Sequence, residues 1–216
     1  MRMSLTRERL LSYLCSQLNS FIPDGSLVKP EHFENSFDHI LKRVEYCFSQ
    51  VSNKYFRSDG EAVFNYLNGD QYAMFLYFAA NTVYKDSNQV ELATKIFLLN
   101  KYLHGIDAFY EVELPDIFIF IHPLGTVLGR GNYSNYFVVY QRCNIGSNHD
   151  IYPNMGKNLI MHPGSAILGN CKVGDNCRLA AGSLLLDMEL EENSIYIGNP
   201  SNYSIKKSDA RPNIWL

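Results

Sequence analysis

The sequence predicts an α+β fold in which an N-terminal α-helical domain is followed by a C-terminal parallel β-helix of hexapeptide repeats. Two observations carry this. Ahead of Pro115 the apolar residues recur at three and four, the spacing of one helical face, and beyond it they recur at six. The expected boundaries are 1–114 for the helical domain, 115–200 for the β-helix and 201–216 for a C-terminal tail.

The first twenty residues suggest one helix. From residue 30 to residue 51, Phe33, Phe37, Ile40, Leu41, Val44, Phe48 and Val51 mark a second, with Pro30 where a first-turn proline is tolerated. A third is expected from Asp70, after the Asn68-Gly69 turn, to about Tyr84. A fourth runs from Ser87 as N-cap through Leu92, Ile96, Leu99 and Leu103 to His104, with Gly105 placed to end it. The acidic stretch 111–116 reads as the linker.

After Pro115 the anchors Ile121, Val127, Tyr133, Val139 and Ile145 lie six apart, and so do Met155, Met161, Ile167, Val173, Leu179 and Leu185. In the second series the residues four after each anchor, Leu159, Ser165, Cys171, Cys177 and Ser183, are mostly small, and Gly146, Gly156 and Gly174 directly follow anchors. A triangular coil of short parallel strands needs this pattern: each hexad makes one side, the anchor fills the interior, and Gly or Asn turns the corner. A helix is excluded because six residues drift by roughly 240° on a 3.6-residue period, so no common face forms. Between Ile145 and Met155 the spacing is ten, so four extra residues must leave the stack as a loop. Loops on a rigid scaffold are where site residues are placed.

Composition narrows the function. The 216 residues carry a net charge of −3 with 46% hydrophobic and 19% charged residues, a globular profile without the clustered Lys and Arg that nucleic acid or an anionic membrane selects. No uninterrupted apolar run is long enough for a signal peptide core or a membrane span, so a cytoplasmic protein is expected. Five cysteines form no CxxC pair and read as free thiols, with no disulfide framework and no metal site.

The runs FIHPLGTVLGRG, NLIMHPGSAILGNCKVGDNCRLAAGSLLL and IYIGNPSNYSIKK resemble the hexapeptide-repeat acyltransferases, specifically the serine acetyltransferase branch, over roughly residues 85–207. The resemblance implies a left-handed β-helix, a homotrimer or a dimer of trimers, and acetyl transfer from acetyl-CoA to a hydroxyl at a site between neighbouring subunits. The chemistry departs from that pattern. Phe120 stands where that branch has an aspartate before the IHP sequence, the following coil is shorter and lacks a histidine, and Tyr152 precedes Pro153 where a histidine is usual.

Acetyl transfer to an alcohol needs a base near neutral pKa, which histidine supplies, and a backbone N–H beside a glycine can hold the oxyanion. His32 and His39 decorate a helix and His104 ends one. In the insertion loop, free of repeat duty, His149 is the expected general base, with Asp150 to orient it and Asp116 as a rival. His122 is a second catalytic candidate. It shares with His162 an aliphatic-His-Pro corner where an imidazole commonly bonds backbone; His162 is expected at the cofactor. Tyr152 and Tyr140 are candidates to bind the acceptor. So is Asp70, comparable to an aspartate that the family brings from its helical domain, with helix capping as the competing role. For acetyl-CoA the resemblance points to Ala180, Ala181, Gly182 and Ser183 beside the pantetheine arm, and to Gly198, Asn199, Pro200, Lys206 and Lys207 at its phosphates. Cys171 and Cys177 read as interior residues.

These expectations describe an acetyl-CoA-dependent O-acetyltransferase. The missing histidine coil and the aromatic side chains Tyr133, Tyr136 and Tyr140 favour a hydroxyl of a surface or capsular polysaccharide, or its sugar precursor, as acceptor. The two-domain layout favours L-serine. N-acetylation of an aminosugar and a catalytically inactive trimeric scaffold complete the alternatives. The tail ARPNIWL is apolar enough to pack on a neighbour or present its terminus to a partner.

Overall fold

A computed structural model describes residues 1–208 and 214–216; the tail residues 209–213 lie outside the described set. The chain forms two compact units, Met1–His104 with Phe109–Glu111 and Leu216, and Gly105–Ala108 with Val112–Trp215.

The first unit contains β1 (Arg2–Met3), α1 (Arg7–Phe21), a 3₁₀ turn at Pro30–Phe33, α2 (Phe37–Ser49), β2 (Arg57–Ser58), β3 (Glu61–Phe64), α3 (Gly69–Ser87) and α4 (Val90–His104). Thr6 caps α1 through Oγ1, which accepts from Arg9 N–H. The α3 helix is buried on all sides from Gln71 to Val83 and forms the centre of this unit, as expected of a helix apolar around its whole circumference. Its buried polar groups are paired: the Arg43 guanidinium donates to Asn81 Oδ1 and Thr82 Oγ1, both at 2.7 Å. Three expectations change here. The helix expected from residue 30 is broken into a 3₁₀ turn and α2. Ser87 ends α3 instead of capping α4, because the left-handed Asn88 (φ 50°) terminates the helix. The small sheet β1-β3-β2 was not foreseen, since its two- to four-residue strands are too short to show a period.

The second unit is the β-helix: β4 (Asp107–Ala108), β5 (Phe118–Phe120), β6 (Val127–Leu128), β7 (Phe137–Val139), β8 (Asn144–Gly146), β9 (Asn154–Met155), β10 (Ile160–Met161), β11 (Ala166–Leu168), β12 (Lys172–Val173), β13 (Arg178–Leu179), β14 (Leu184–Leu186), β15 (Glu189–Leu190), β16 (Ser194–Asn199) and β17 (Asn202–Lys207). They form three faces, β5-β7-β10-β13-β16-β17, β4-β6-β8-β11-β14 and β9-β12-β15, parallel throughout except for the closing β16–β17 hairpin. The stacking register places Ile145 on Ile167 on Leu185 and Val139 on Met161 on Leu179, and all six are buried. Leu159, Ser165, Cys171, Cys177 and Ser183 are buried as expected.

The first coil corrects the register. Phe120 pairs with Val139 and Leu128 with Ile145, so these two fill the interior, whereas Ile121 is half-buried and Val127 is 41% exposed. Eight residues separate Phe120 from Leu128 where six separate Val139 from Ile145, and the extra pair bulges at His122-Pro123. Left-handed residues turn the corners as predicted, Gly164, Gly182, Asn158, Asn176 and Asn193 among them. Three of these asparagines form a ladder: Asn158 donates to Asn176 at 2.9 Å, and Asn176 to Asn193 at 3.0 Å.

Candidate functional site

The insertion between β8 and β9 is a tight hairpin. Asn148 and Ile151 exchange two backbone hydrogen bonds at 3.1 and 3.0 Å, enclosing His149 (φ 49°) and Asp150 (φ 60°). Two left-handed central residues define the turn whose twist suits a hairpin, a place usually taken by Asn-Gly. Filling it with His-Asp holds both side chains exposed at a rigid tip. No hydrogen bond joins His149 to Asp150, which sit side by side at the two central positions of the turn. Ile151 and Tyr152 follow, 49% and 41% exposed, and Pro153 is buried.

The loop delivers the chain onto the third face. There a shallow groove of about 460 Å³ begins at Asn154 and is lined by Ser134, Gly156, Lys172, Gly174 and Glu192. Its floor is flat because the glycines stack against the next coil: a Cβ on Gly156 would stand 2.7 Å from the carbonyl carbon of Gly174, and one on Gly174 would stand 2.5 Å from Glu192 N. The sequence displayed these glycines directly after anchors eighteen apart, and that spacing was the signal that they share one face.

His122 adopts φ 49° in the first-coil bulge and is exposed, with its carbonyl accepting Leu124 N–H at 2.7 Å. His162 and Tyr140, expected at different substrates, come together. Their rings stack at 5.5 Å between centroids with 22° between planes. The twenty-two residues between them are one eighteen-residue coil plus the four-residue insertion, so the pairing was legible once the insertion was counted. Burial, and secondarily the Arg178 guanidinium, hold the His162 imidazole below its ordinary pKa, so it is neutral at neutral pH and offers a nitrogen lone pair. The backbone around the pair is locked, with Tyr140 N–H donating to Met161 O at 3.1 Å and Thr126 Oγ1 donating to Tyr140 O at 2.7 Å.

Two cofactor-assigned regions also meet. Ser183 Oγ accepts Gly198 N–H at 3.1 Å, joining the Ala180–Ala181–Gly182 corner to the closing hairpin. Ala181 and Gly182 are exposed, and among the described residues none but the chain neighbours of Gly182 comes within 4 Å of a Cβ placed on it. Asn199 Oδ1 accepts from Ser201 N–H and from its hydroxyl, which shapes the turn at Pro200. Lys206 and Lys207 do not sit at that turn. They pair with Ile195 and Ser194, three and four strand residues from Gly198, roughly 10–13 Å away along the strand.

Asp70 lies in the first turn of α3, but it is not the cap. Asn68 Oδ1 accepts from Asp70 N–H at 3.1 Å and Gln71 N–H at 3.2 Å, leaving the half-buried Asp70 carboxylate outside the capping role. Among the described residues no cluster of His, Cys, Asp and Glu can hold a metal ion, and no helix is long and apolar enough to cross a membrane. None of the five cysteines forms a disulfide, and all are buried.

No family model matches the chain. Among curated proteins it is 27% identical over 93 residues to a serine acetyltransferase of Synechococcus elongatus, which covers 41% of this chain and 38% of that one. A serine acetyltransferase of Staphylococcus epidermidis is 26% identical over 131 residues, covering 53% of this chain and 56% of its own. The matched regions thus span about half the length, or less, of these relatives. Among solved structures, a serine acetyltransferase in complex with CoA is 21% identical with a TM-score of 0.71, over 91% of this chain and 83% of that one. The serine acetyltransferase of Neisseria gonorrhoeae is 21% identical with a TM-score of 0.73, over 97% and 83%. The likeness in these structures is one of fold, a helical unit followed along the chain by a left-handed parallel β-helix.

Proposed function

We propose that the protein is an acetyl-CoA-dependent acyltransferase that acetylates the hydroxyl of L-serine. The observation that carries this reading is the insertion loop, which presents His149 at a rigid tip and opens at Asn154 onto the glycine-floored groove. Support for serine comes from the similar proteins, named serine acetyltransferases; the polysaccharide acceptor preferred from sequence alone has no counterpart among those described above.

Acetyl-CoA supplies the thioester. The acceptor oxygen attacks its carbonyl carbon while His149 takes the hydroxyl proton; the C–S bond then breaks and the proton passes to the departing thiolate. Tyr152 and Tyr140 are the candidates on the coil to bind the acceptor; Asp70, in the helical unit, is the third candidate, its carboxylate suited to an α-ammonium. The neutral His162, stacked on Tyr140, and the open backbone at Ala181 and Gly182 line the path of the pantetheine arm. Gly198, Asn199 and Pro200, with Lys206 and Lys207 further along the hairpin, take its phosphates. His122 remains the second base candidate. The assembly is a homotrimer or a dimer of trimers, in the cytoplasm.

Thiol release from acetyl-CoA tests this. L-serine is expected to stimulate release, and nucleotide sugars and capsule oligosaccharides are not. His149→Ala should lower turnover by about 10²–10⁴ while acetyl-CoA still binds, as expected for loss of a general base. A loss of less than a few fold returns the role to His122. Silence of the wild type, with no binding of acetyl-CoA, favours a scaffold.

A further inference from the structure

A four-residue insertion leaves a stack that is otherwise held by strand pairing, so its direction must be fixed by something other than the ladder. At its root the Asn148 side-chain amide donates to Asp187 Oδ2 at 2.5 Å. The other oxygen of the same carboxylate accepts Asn170 N–H at 2.7 Å, and Asp187 N–H donates to Leu168 O at 3.1 Å. One side chain therefore ties the loop root to the corner after β11 and to the corner after β14. Space for it is made by Gly169 (φ 77°), where a Cβ would stand 2.0 Å from Asp187 Oδ1 and 2.7 Å from Asn148 Cβ. Asp187 itself holds a left-handed conformation (φ 49°), which a non-glycine residue adopts at a cost.

We infer that Asp187 is the positioning residue of the insertion loop: its carboxylate sets the direction in which the His149-Asp150 turn leaves the coil. The inference rests on the reading of His149 as the base of an acyl transfer. A carboxylate suits the place, since both side-chain bonds arrive as N–H donors and a carboxylate accepts each as a charge-assisted hydrogen bond. An amide at this position keeps both partners only if the Asn148 amide turns over to present its Oδ1, which puts a neutral bond in place of a charge-assisted one.

The test is a reciprocal exchange in the full chain. Asp187→Asn should speed hydrogen exchange at the Ile151 amide about tenfold and lower kcat about tenfold, with KM for acetyl-CoA unchanged, the effect of one lost charge-assisted hydrogen bond. Combining it with Asn148→Asp swaps donor and acceptor and should bring both readings back to within about threefold of wild type. A general loss of stability would not be rescued by that swap. Unchanged exchange at Ile151 in Asp187→Asn, or a double variant no better than the single, overturns the inference. Faster exchange without any change in kcat also overturns it, because the loop would then be anchored but not positioned for catalysis. A wild-type protein without turnover refutes the acyltransferase reading instead, and the exchange result alone then decides on the anchor.

Discussion

His104 illustrates how one buried side chain ties stability to pH. Asn100 Nδ2 donates to Ala73 O, so Asn100 Oδ1 is the acceptor in the 2.8 Å bond to His104 Nδ1, and the ring carries its proton there. Burial pushes the imidazole pKa down from 6.5 to about 4. Between these values the unfolded chain binds a proton that the native state refuses, so stability is full above about pH 6.5 and falls as the pH drops toward 4. After allowance for partial exposure the loss is about 1–2 kcal/mol. His104→Gln should flatten urea-unfolding stability across this window, and an unaltered slope would show that other groups set it. The interior thiols give a second residue-scale expectation. Cys143, Cys171 and Cys177 donate to the carbonyls of His162, Leu168 and Glu191 at 3.2, 3.1 and 3.1 Å, and burial raises each pKa. They should react with a disulfide reagent only at the rate of unfolding.

Among the elements, the corners and floors of the coil use glycine for different reasons, and substitution separates them. Gly174 leaves room for the backbone of the next coil, so Gly174→Ala should cost about 1–3 kcal/mol by forcing the two coils apart. Gly182 has open space but a left-handed backbone (φ 69°), so Gly182→Ala should cost only about 1 kcal/mol, from strain alone. Urea midpoints of the two variants check the order. Legibility also differed between elements. The hexad anchors from Met155 to Leu185 were correctly read because every coil there repeats without insertion. The first coil was read one residue out of place at Ile121 and Val127, since the His122-Pro123 bulge and a compensating short side leave the six-residue spacing intact on paper.

At the scale of the whole molecule, the face formed by β6, β8, β11 and β14 turns Val127, Ala166, Leu168, Leu184 and Leu186 outward, alternating with the buried Ile145, Ile167 and Leu185. Packing three such faces together would remove this apolar surface from water. Sedimentation should therefore give three times, or in a pair of trimers six times, the 24.7 kDa mass of the chain. Leu184→Glu should yield smaller particles; a wild-type monomer would rule the trimer out.

By itself the sequence determined the two-part architecture, the triangular coil and the place of the insertion, because these follow from periods and spacings that any backbone must obey. It also isolated His149, Asp150 and Tyr152 as residues without repeat duty. Only the tertiary structure decided which side chains meet. The stack of His162 on Tyr140, the separation of Lys206 from Gly198 and the hold of Asp187 on Asn148 all depend on how coils superpose after insertions of two and four residues. A spacing fixes the face on which a residue lies, whereas contact between faces and between coils is set by the summed register of the whole stack.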